Sequence, residues 1–161
     1  MPVHNIEPFY DKNSNILILG SFPSVKSRQE QFFYAYRQNR FWKVLAEVCG
    51  TAVPQTVSEK KQFLKENGIA LWDVIYSCDI SGSSDSSIRN VVPTDLSVIT
   101  EKSEIRAVFL NGGASYSCYL KYQKKNNPDL RYFRLPSTSP ANARYTLDDL
   151  YEEWKIIRDY L

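Results

Sequence analysis

A single histidine, three scattered cysteines and no long apolar run leave most familiar chemistries without their usual residues in this 161-residue chain. Cys49, Cys78 and Cys118 are odd in number and far apart, with no C-x-x-C pair. That excludes a readable disulfide framework and an ordinary zinc or iron–sulfur site, and buried or inert thiols in a reducing compartment are the expectation. His4 falls in what reads as a peripheral N-terminus, which argues against a histidine general base and against Ser-His-Asp or Cys-His catalysis. No apolar stretch approaches the ~20 residues that cross a bilayer, and the first residues lack the basic-then-apolar pattern of a signal peptide. A soluble cytoplasmic protein with no membrane partner is expected.

Net charge is scarce too. Twenty Lys and Arg stand against eighteen Asp and Glu, a balance of +2 that by itself points to no polyanion. The distribution is less even. Residues 21 to 46 carry Lys26, Arg28, Arg37, Arg40 and Lys43 against Glu30, a net +4, and residues 121 to 144 carry six bases against Asp129, a net +5. Brought together, they would form a face suited to a phosphate backbone; kept apart, they are solvated surface. Aromatics are plentiful at 14%, many of them in Phe32-Phe33-Tyr34-Ala35-Tyr36 and Phe41-Trp42 beside those bases. Such interleaving suits stacking on nucleobases, and it equally suits a core. Length and an apolar share of 43% indicate one domain over residues 1–161, able to fold alone.

Hydrophobic periodicity orders the chain. Asn15 to Leu19 is a continuously apolar strand ending at Gly20; Arg40 to Cys49 has helical spacing and stops at Gly50. Ser58 opens a helix that closes at Asn67-Gly68, and Ile69 to Tyr76 reads as a second strand. Asp79 to Arg89 is a polar, serine-rich loop. A short helix from Thr94-Asp95, a strand over Ile105 to Leu110, a helix over Ala114 to Lys125, a strand over Tyr132 to Leu135 and a Thr146-capped final helix follow. Alternating strands and helices imply an α/β fold: a three-layer α/β/α sandwich around a central, mostly parallel four-stranded sheet. Such sheets bind ligands at the carboxyl ends of their strands, so the loops after Leu19, Tyr76, Leu110 and Leu135 are the ones to watch.

Two of those loops carry a resemblance. Ile16-Leu17-Ile18-Leu19-Gly20-Ser21-Phe22-Pro23-Ser24, followed by Asn39-Arg40-Phe41-Trp42-Lys43, resembles the first motif region of the uracil-DNA glycosylase superfamily. Leu135-Pro136-Ser137-Thr138-Ser139-Pro140-Ala141-Asn142 resembles its second motif, in the expected order at a strand end. The superfamily places Asn, Asp or Glu just before the motif 1 Pro and His or Asn at the head of motif 2; here those positions are Phe22 and Leu135. This double departure is similar to the hypoxanthine-DNA glycosylases, in which the Asn of N-R-F-W, Asn39 by motif match, is the catalytic side chain. Its amide oxygen would hold a water or its NH₂ would hold the departing base; its alternative role is an N-cap for the helix from Arg40.

The resemblance implies further roles. Gly20, Ser21, Phe22, Pro23 and Ser24 would line a base pocket, with small Ser24 leaving room for a purine; Tyr34, or alternatively Phe33, would stack on the flipped base. Asp73, with Trp72 beside it in the pocket, falls near the strand position where uracil-specific relatives read the base edge, and it would accept from the N1–H of hypoxanthine, which adenine lacks; its alternative role is a strand-end acid bonded to backbone. Lys26, Arg40, Pro136, Ser137, Thr138, Ser139, Pro140, Ala141, Asn142 and Arg144 would contact DNA. The function implied is a monofunctional, metal-free and cofactor-free glycosylase that removes hypoxanthine from double-stranded or single-stranded DNA in base excision repair, a monomer with no obligate protein partner. Its alternatives are a uracil or mismatch-specific glycosylase, an inactive nucleic-acid-binding module of the same fold, and a nucleotide-binding α/β protein.

Overall fold

The computed structural model describes residues 2–161. In chain order it contains β1 (Ile16–Gly20), α1 (Val25–Glu30), α2 (Phe41–Cys49), α3 (Val57–Asn67), β2 (Ile69–Asp73), β3 (Ile75–Asp79), β4 (Arg89–Pro93), α4 (Ser97–Thr100), β5 (Ala107–Asn111), α5 (Gly113–Tyr122), β6 (Arg131–Leu135) and α6 (Leu147–Trp154). Four strands form one parallel sheet in the order β2–β1–β5–β6. β1 lies inside it, in register with Ile69 and Ala107 at Ile16 and with Trp72 and Leu110 at Leu19. Its four apolar side chains are wholly buried, which is why its sequence is continuously apolar instead of alternating.

From the central β1–β5 pair the chain steps outward twice, to β2 on one side and to β6 on the other. Right-handed crossovers put the helices of those two connections on opposite faces. α1 to α3 therefore cover one face and α5 the other, while α6 packs on α2 and joins the first face. The expected three-layer sandwich results. The divergence opens a crevice at the carboxyl ends of β1 and β5, the topological switch point where such sheets bind ligands.

Local chemistry sets the boundaries. Gly50 and Gly68 close α2 and α3 at φ 70° and 67°, a left-handed conformation costly for other residues. Thr146 and Asp149 form a reciprocal capping box at the start of α6. α3 starts two residues earlier than its sequence suggests, because Thr56 rather than Ser58 caps it, accepting from the Glu59 N–H at 3.0 Å.

Three expectations are corrected. The strand read over Ile69 to Tyr76 breaks at Val74, where the chain bends across the end of β1. Val74 N–H bonds the Gly20 carbonyl at 2.8 Å and Ile75 N–H the Ser21 carbonyl at 3.1 Å. Buried Gln123 ties the corner by donating to Val74 O at 3.1 Å and Thr94 O at 2.8 Å. Only Asp73 interrupts the apolar run at the bend, and a single acid within a β-type run does not by itself mark a corner. Beyond it β3 pairs antiparallel with β4, so the serine-rich loop is the connection of a hairpin. The N-terminal segment is not peripheral either: Phe9 and Leu71 exchange backbone bonds at 3.0 and 2.9 Å, closing the outer edge of β2, and His4 N–H bonds Tyr76 O at 2.6 Å. His4 is buried, with 8% of its surface exposed.

Candidate functional site

A cavity of about 580 Å³ opens at the carboxyl ends of β1, β2 and β5. One wall is the turn after β1, with Gly20, Ser21, Phe22, Pro23, Ser24 and Lys26; the opposite wall is the loop after β6, Ser137 to Ala141. Phe33, Tyr34, Asn39, Asp73, Asp85 and Asn111 complete it. Thus both motif regions converge on one space, although about a hundred residues separate them.

Asn39 has a fixed amide. Its Oδ1 accepts from the Phe41 N–H at 3.0 Å and from the Thr138 hydroxyl at 2.7 Å. A backbone N–H can only donate, so the oxygen side of the amide is settled, and the NH₂ faces the cavity without a partner among the described residues. The N-cap of α2 is Arg40 and not Asn39, whose Oδ1 instead closes a local turn onto the Phe41 N–H just ahead of the helix. Thr138 is fully buried and accepts in turn from Asn111 Nδ2 at 3.1 Å, while its own N–H donates to Asn111 Oδ1 at 3.1 Å. A relay from Asn111 through Thr138 to Asn39 results. Asn111 escaped the motif reading; its only signal was its place immediately after Leu110, at the end of a central strand.

Asp73, 4% exposed, lies in the cavity wall. His4 Nδ1 accepts from the Ile6 N–H at 3.3 Å, so the imidazole proton rides on Nε2, which donates to Asp73 Oδ2 at 2.8 Å. A Cβ at Gly20 would collide with Asp73 Oδ1, so this approach needs glycine there. The lone histidine thus orients a carboxylate of the cavity. No local pattern announced it, because 69 residues separate the partners.

Tyr34 stacks flat on Phe41, with ring centroids 3.9 Å apart, and holds a left-handed backbone at φ 51°. Its hydroxyl is buried without a hydrogen-bond partner. Burial, then the nearby Asp73 carboxylate, push the phenol well above its ordinary value, with Asn111 offsetting this in part. Phe33 also lines the cavity, edge-on to Phe32. Phe22 presents its ring between His4 and the Arg28 guanidinium, whose carbon lies 5.3 Å from the ring centre. Ser24 caps α1 through the Ser27 N–H at 3.1 Å.

Asp85 comes from the serine-rich connection between β3 and β4, which folds back over the turn after β1. Its Oδ1 accepts from the Ser21 hydroxyl at 2.7 Å. Crowding of the carboxyl by protein raises its pKa above the ordinary value, the Ser21 hydrogen bond opposing and the Asp73 charge adding.

Beside the cavity runs a groove of about 630 Å³, lined by Pro136, Asn142 and the guanidinium-bearing Arg134 and Arg144. Neither arginine is ion-paired among the described residues. Asn142 folds its Nδ2 onto Ser137 O at 3.0 Å, and Ser137 Oγ accepts from the Ser139 N–H at 3.1 Å, so the loop is internally braced.

Two expected residues have other employment. Trp72 is buried behind the wall, edge-on to His4, and does not line the cavity, because strand alternation turns it away from the face that Asp73 occupies. Arg40 points inward, donating to the carbonyls of Ser139, Asn142 and Tyr145, so it fastens the loop instead of presenting a free charge. The basic segments converge only in part. Lys26 lines the cavity, paired with Glu30 at 3.0 Å, whereas Lys121, Lys124 and Arg131 lie over the rings of Tyr122, Tyr132 and Tyr160. Free Cys49, Cys78 and Cys118 all have thiols pushed up by burial, Cys49 to about 11, which suits inert thiols.

Comparison with known proteins gives a consistent result. The sequence model of the uracil DNA glycosylase superfamily matches residues 7–160. The chain is 34% identical over 154 residues to a hypoxanthine DNA glycosylase of Methanosarcina acetivorans, covering 91% of this chain and 92% of that one. It is 29% identical over 117 residues to a hypoxanthine DNA glycosylase of Methanosarcina barkeri, covering 71% and 74%. Its fold is similar to the solution NMR structure of a candidate uracil DNA glycosylase from Methanosarcina acetivorans, with a TM-score of 0.80, 30% identity and coverage of 94% and 93%.

Proposed function

Because the chain belongs to the uracil DNA glycosylase superfamily, we propose that it is a monofunctional DNA glycosylase that removes hypoxanthine, with water as the nucleophile. The observation that carries this reading is the pairing of a fixed donor and a fixed acceptor across the cavity: the Asn39 NH₂ on one side and the Asp73 carboxylate on the other. Hypoxanthine offers N1–H to Asp73, whereas adenine presents a lone pair there, so the carboxylate discriminates by repulsion as well as attraction. The Asn39 NH₂ donates to the base as it departs. It stabilises the negative charge that accumulates there when the glycosidic bond breaks.

Tyr34 supplies the stacking surface, made rigid by Phe41 behind it. The backbone of the damaged strand lies along the groove, with Arg134 and Arg144 on its phosphates. Uracil offers N3–H to the same carboxylate and is the second substrate; the cavity's size and the small Ser24 favour the larger purine.

Duplex oligonucleotides with a single hypoxanthine, uracil or xanthine, scored for abasic product under single turnover, test the reading. Wild type is expected to release hypoxanthine fastest. Asn39→Ala should slow it about 100-fold, the usual scale for losing one transition-state hydrogen-bond donor. No hypoxanthine release by wild type, or full activity in Asn39→Ala, would refute the assignment.

A further inference from the structure

Hydrolysis of a glycosidic bond needs a water at the anomeric carbon and a group to receive its proton. With the base in the cavity and the phosphates along the groove, the sugar's C1′ must sit where the two spaces meet. Four residues border both: Asp85, Ser137, Ser139 and Ala141. Only Asp85 has an acid–base side chain. Building on the glycosylase reading, we propose that Asp85 is a catalytic residue of this site, holding the attacking water and taking its proton.

The carboxylate is built into place. The Ser21 hydroxyl that donates to Oδ1 belongs to a residue only 8% exposed, at the end of β1, whose carbonyl is bonded by the Ile75 N–H at 3.1 Å. The loop bearing Asp85 is fastened to α1 on its other flank: the Val25 N–H donates to Ser83 Oγ at 3.0 Å and Arg28 Nη2 to Gly82 O at 3.1 Å. A one-turn 3₁₀ helix at Asp85–Ser87 stiffens the tip. Oδ2 is left without a protein partner among the described residues, free for a water. The other nearby carboxylates are less suited. Asp73 is engaged by His4 and buried deep in the wall, and Glu153 borders the groove without reaching the cavity.

The step balances. The C1′–N bond breaks with its electron pair leaving on the base, and the sugar becomes cationic. The water oxygen then bonds to C1′ and its proton passes to Asp85 Oδ2, which later returns it to solvent, while the base takes up a proton from solvent. Before the proton moves, the negative carboxylate faces the developing sugar cation and stabilises it. Crowding of the carboxyl raises its basicity for this task. Phe22 has no acid–base group, so the turn after β1 contributes instead through Ser21, which holds a carboxylate delivered from another loop.

The test measures single-turnover release of hypoxanthine by wild type, Asp85→Asn and Asp85→Ala, together with affinity for the same duplex bearing a stable abasic analogue. Asp85→Asn should lower the rate about 100-fold or more with affinity within about threefold. Formate should restore part of the rate to Asp85→Ala, an effect that a merely structural role would not produce. Release by wild type with Asp85→Asn within threefold of its rate overturns the proposal and leaves the glycosylase reading standing. Absence of formate rescue in an Asp85→Ala protein that still binds the duplex overturns it as well. No release by wild type overturns the glycosylase reading itself.

Discussion

Asn39 shows how one side chain serves two roles at once. An amide has an acceptor end and a donor end, and here helix α2 and Thr138 occupy the acceptor so that only the donor reaches the cavity. Thr138 is the residue on which this depends. Thr138→Val keeps the shape but removes the hydroxyl, leaving Asn39 Oδ1 one donor short and Asn111 Nδ2 without its acceptor. Single-turnover release should fall about tenfold, the equivalent of about 1.4 kcal/mol, with DNA affinity unchanged, and Thr138→Ser should restore it. A Val variant at the wild-type rate would remove the relay from the account. The sequence singled out both Asn39 and Thr138 but not the bond between them, because 99 residues separate them.

At the scale of elements, α6 joins the stability of the fold to the geometry of the site. Its amphipathic pattern and Thr146 cap were legible, since both are local. The destination of Trp154 was not. That side chain is fully buried, edge-on to Phe41 of α2, and its indole N–H donates to the carbonyl of Pro136 at 3.0 Å, inside the loop that walls the cavity. Trp154→Phe keeps an aromatic ring but strands that carbonyl, at a cost of about 1 to 3 kcal/mol. Urea unfolding should show a lower midpoint with an unchanged slope; an unmoved midpoint would mean that the Pro136 carbonyl finds another donor. The β3–β4 hairpin lies at the other extreme of legibility. Its first strand follows a run interrupted only by Asp73, and the corner at Val74 is set by bonds to Gly20 and Ser21 that only the folded sheet brings near.

For the molecule as a whole, the near-neutral charge conceals a divided surface. Of the bases in the two positive segments, Arg134 and Arg144 border the groove while Lys121 lies over Tyr122. If the groove follows a DNA backbone, each groove arginine that meets a phosphate contributes about −0.9 to the slope of log affinity against log salt. Anisotropy titrations between about 50 and 200 mM salt should show Arg134→Ala and Arg144→Ala each flattening that slope by about one, with Lys121→Ala leaving it alone. Equal effects from all three would make binding a property of overall charge and not of the groove.

The sequence alone determined the α/β architecture, the strand β1, the glycine stops of α2 and α3 and the identity of both motif regions, because all of these depend on patterns within a few residues. It placed Asn39, Tyr34 and the Ser137 to Ala141 loop in the site on motif match, and the fold assembles them around one cavity. Tertiary structure decided what no local pattern encodes: that His4 grips Asp73, that Ser21 grips Asp85, that Arg40 turns inward, and that Trp72 faces away. Hydrogen bonds between groups 64 to 99 residues apart depend on where the whole sheet carries each loop, and that is fixed only when the chain has folded.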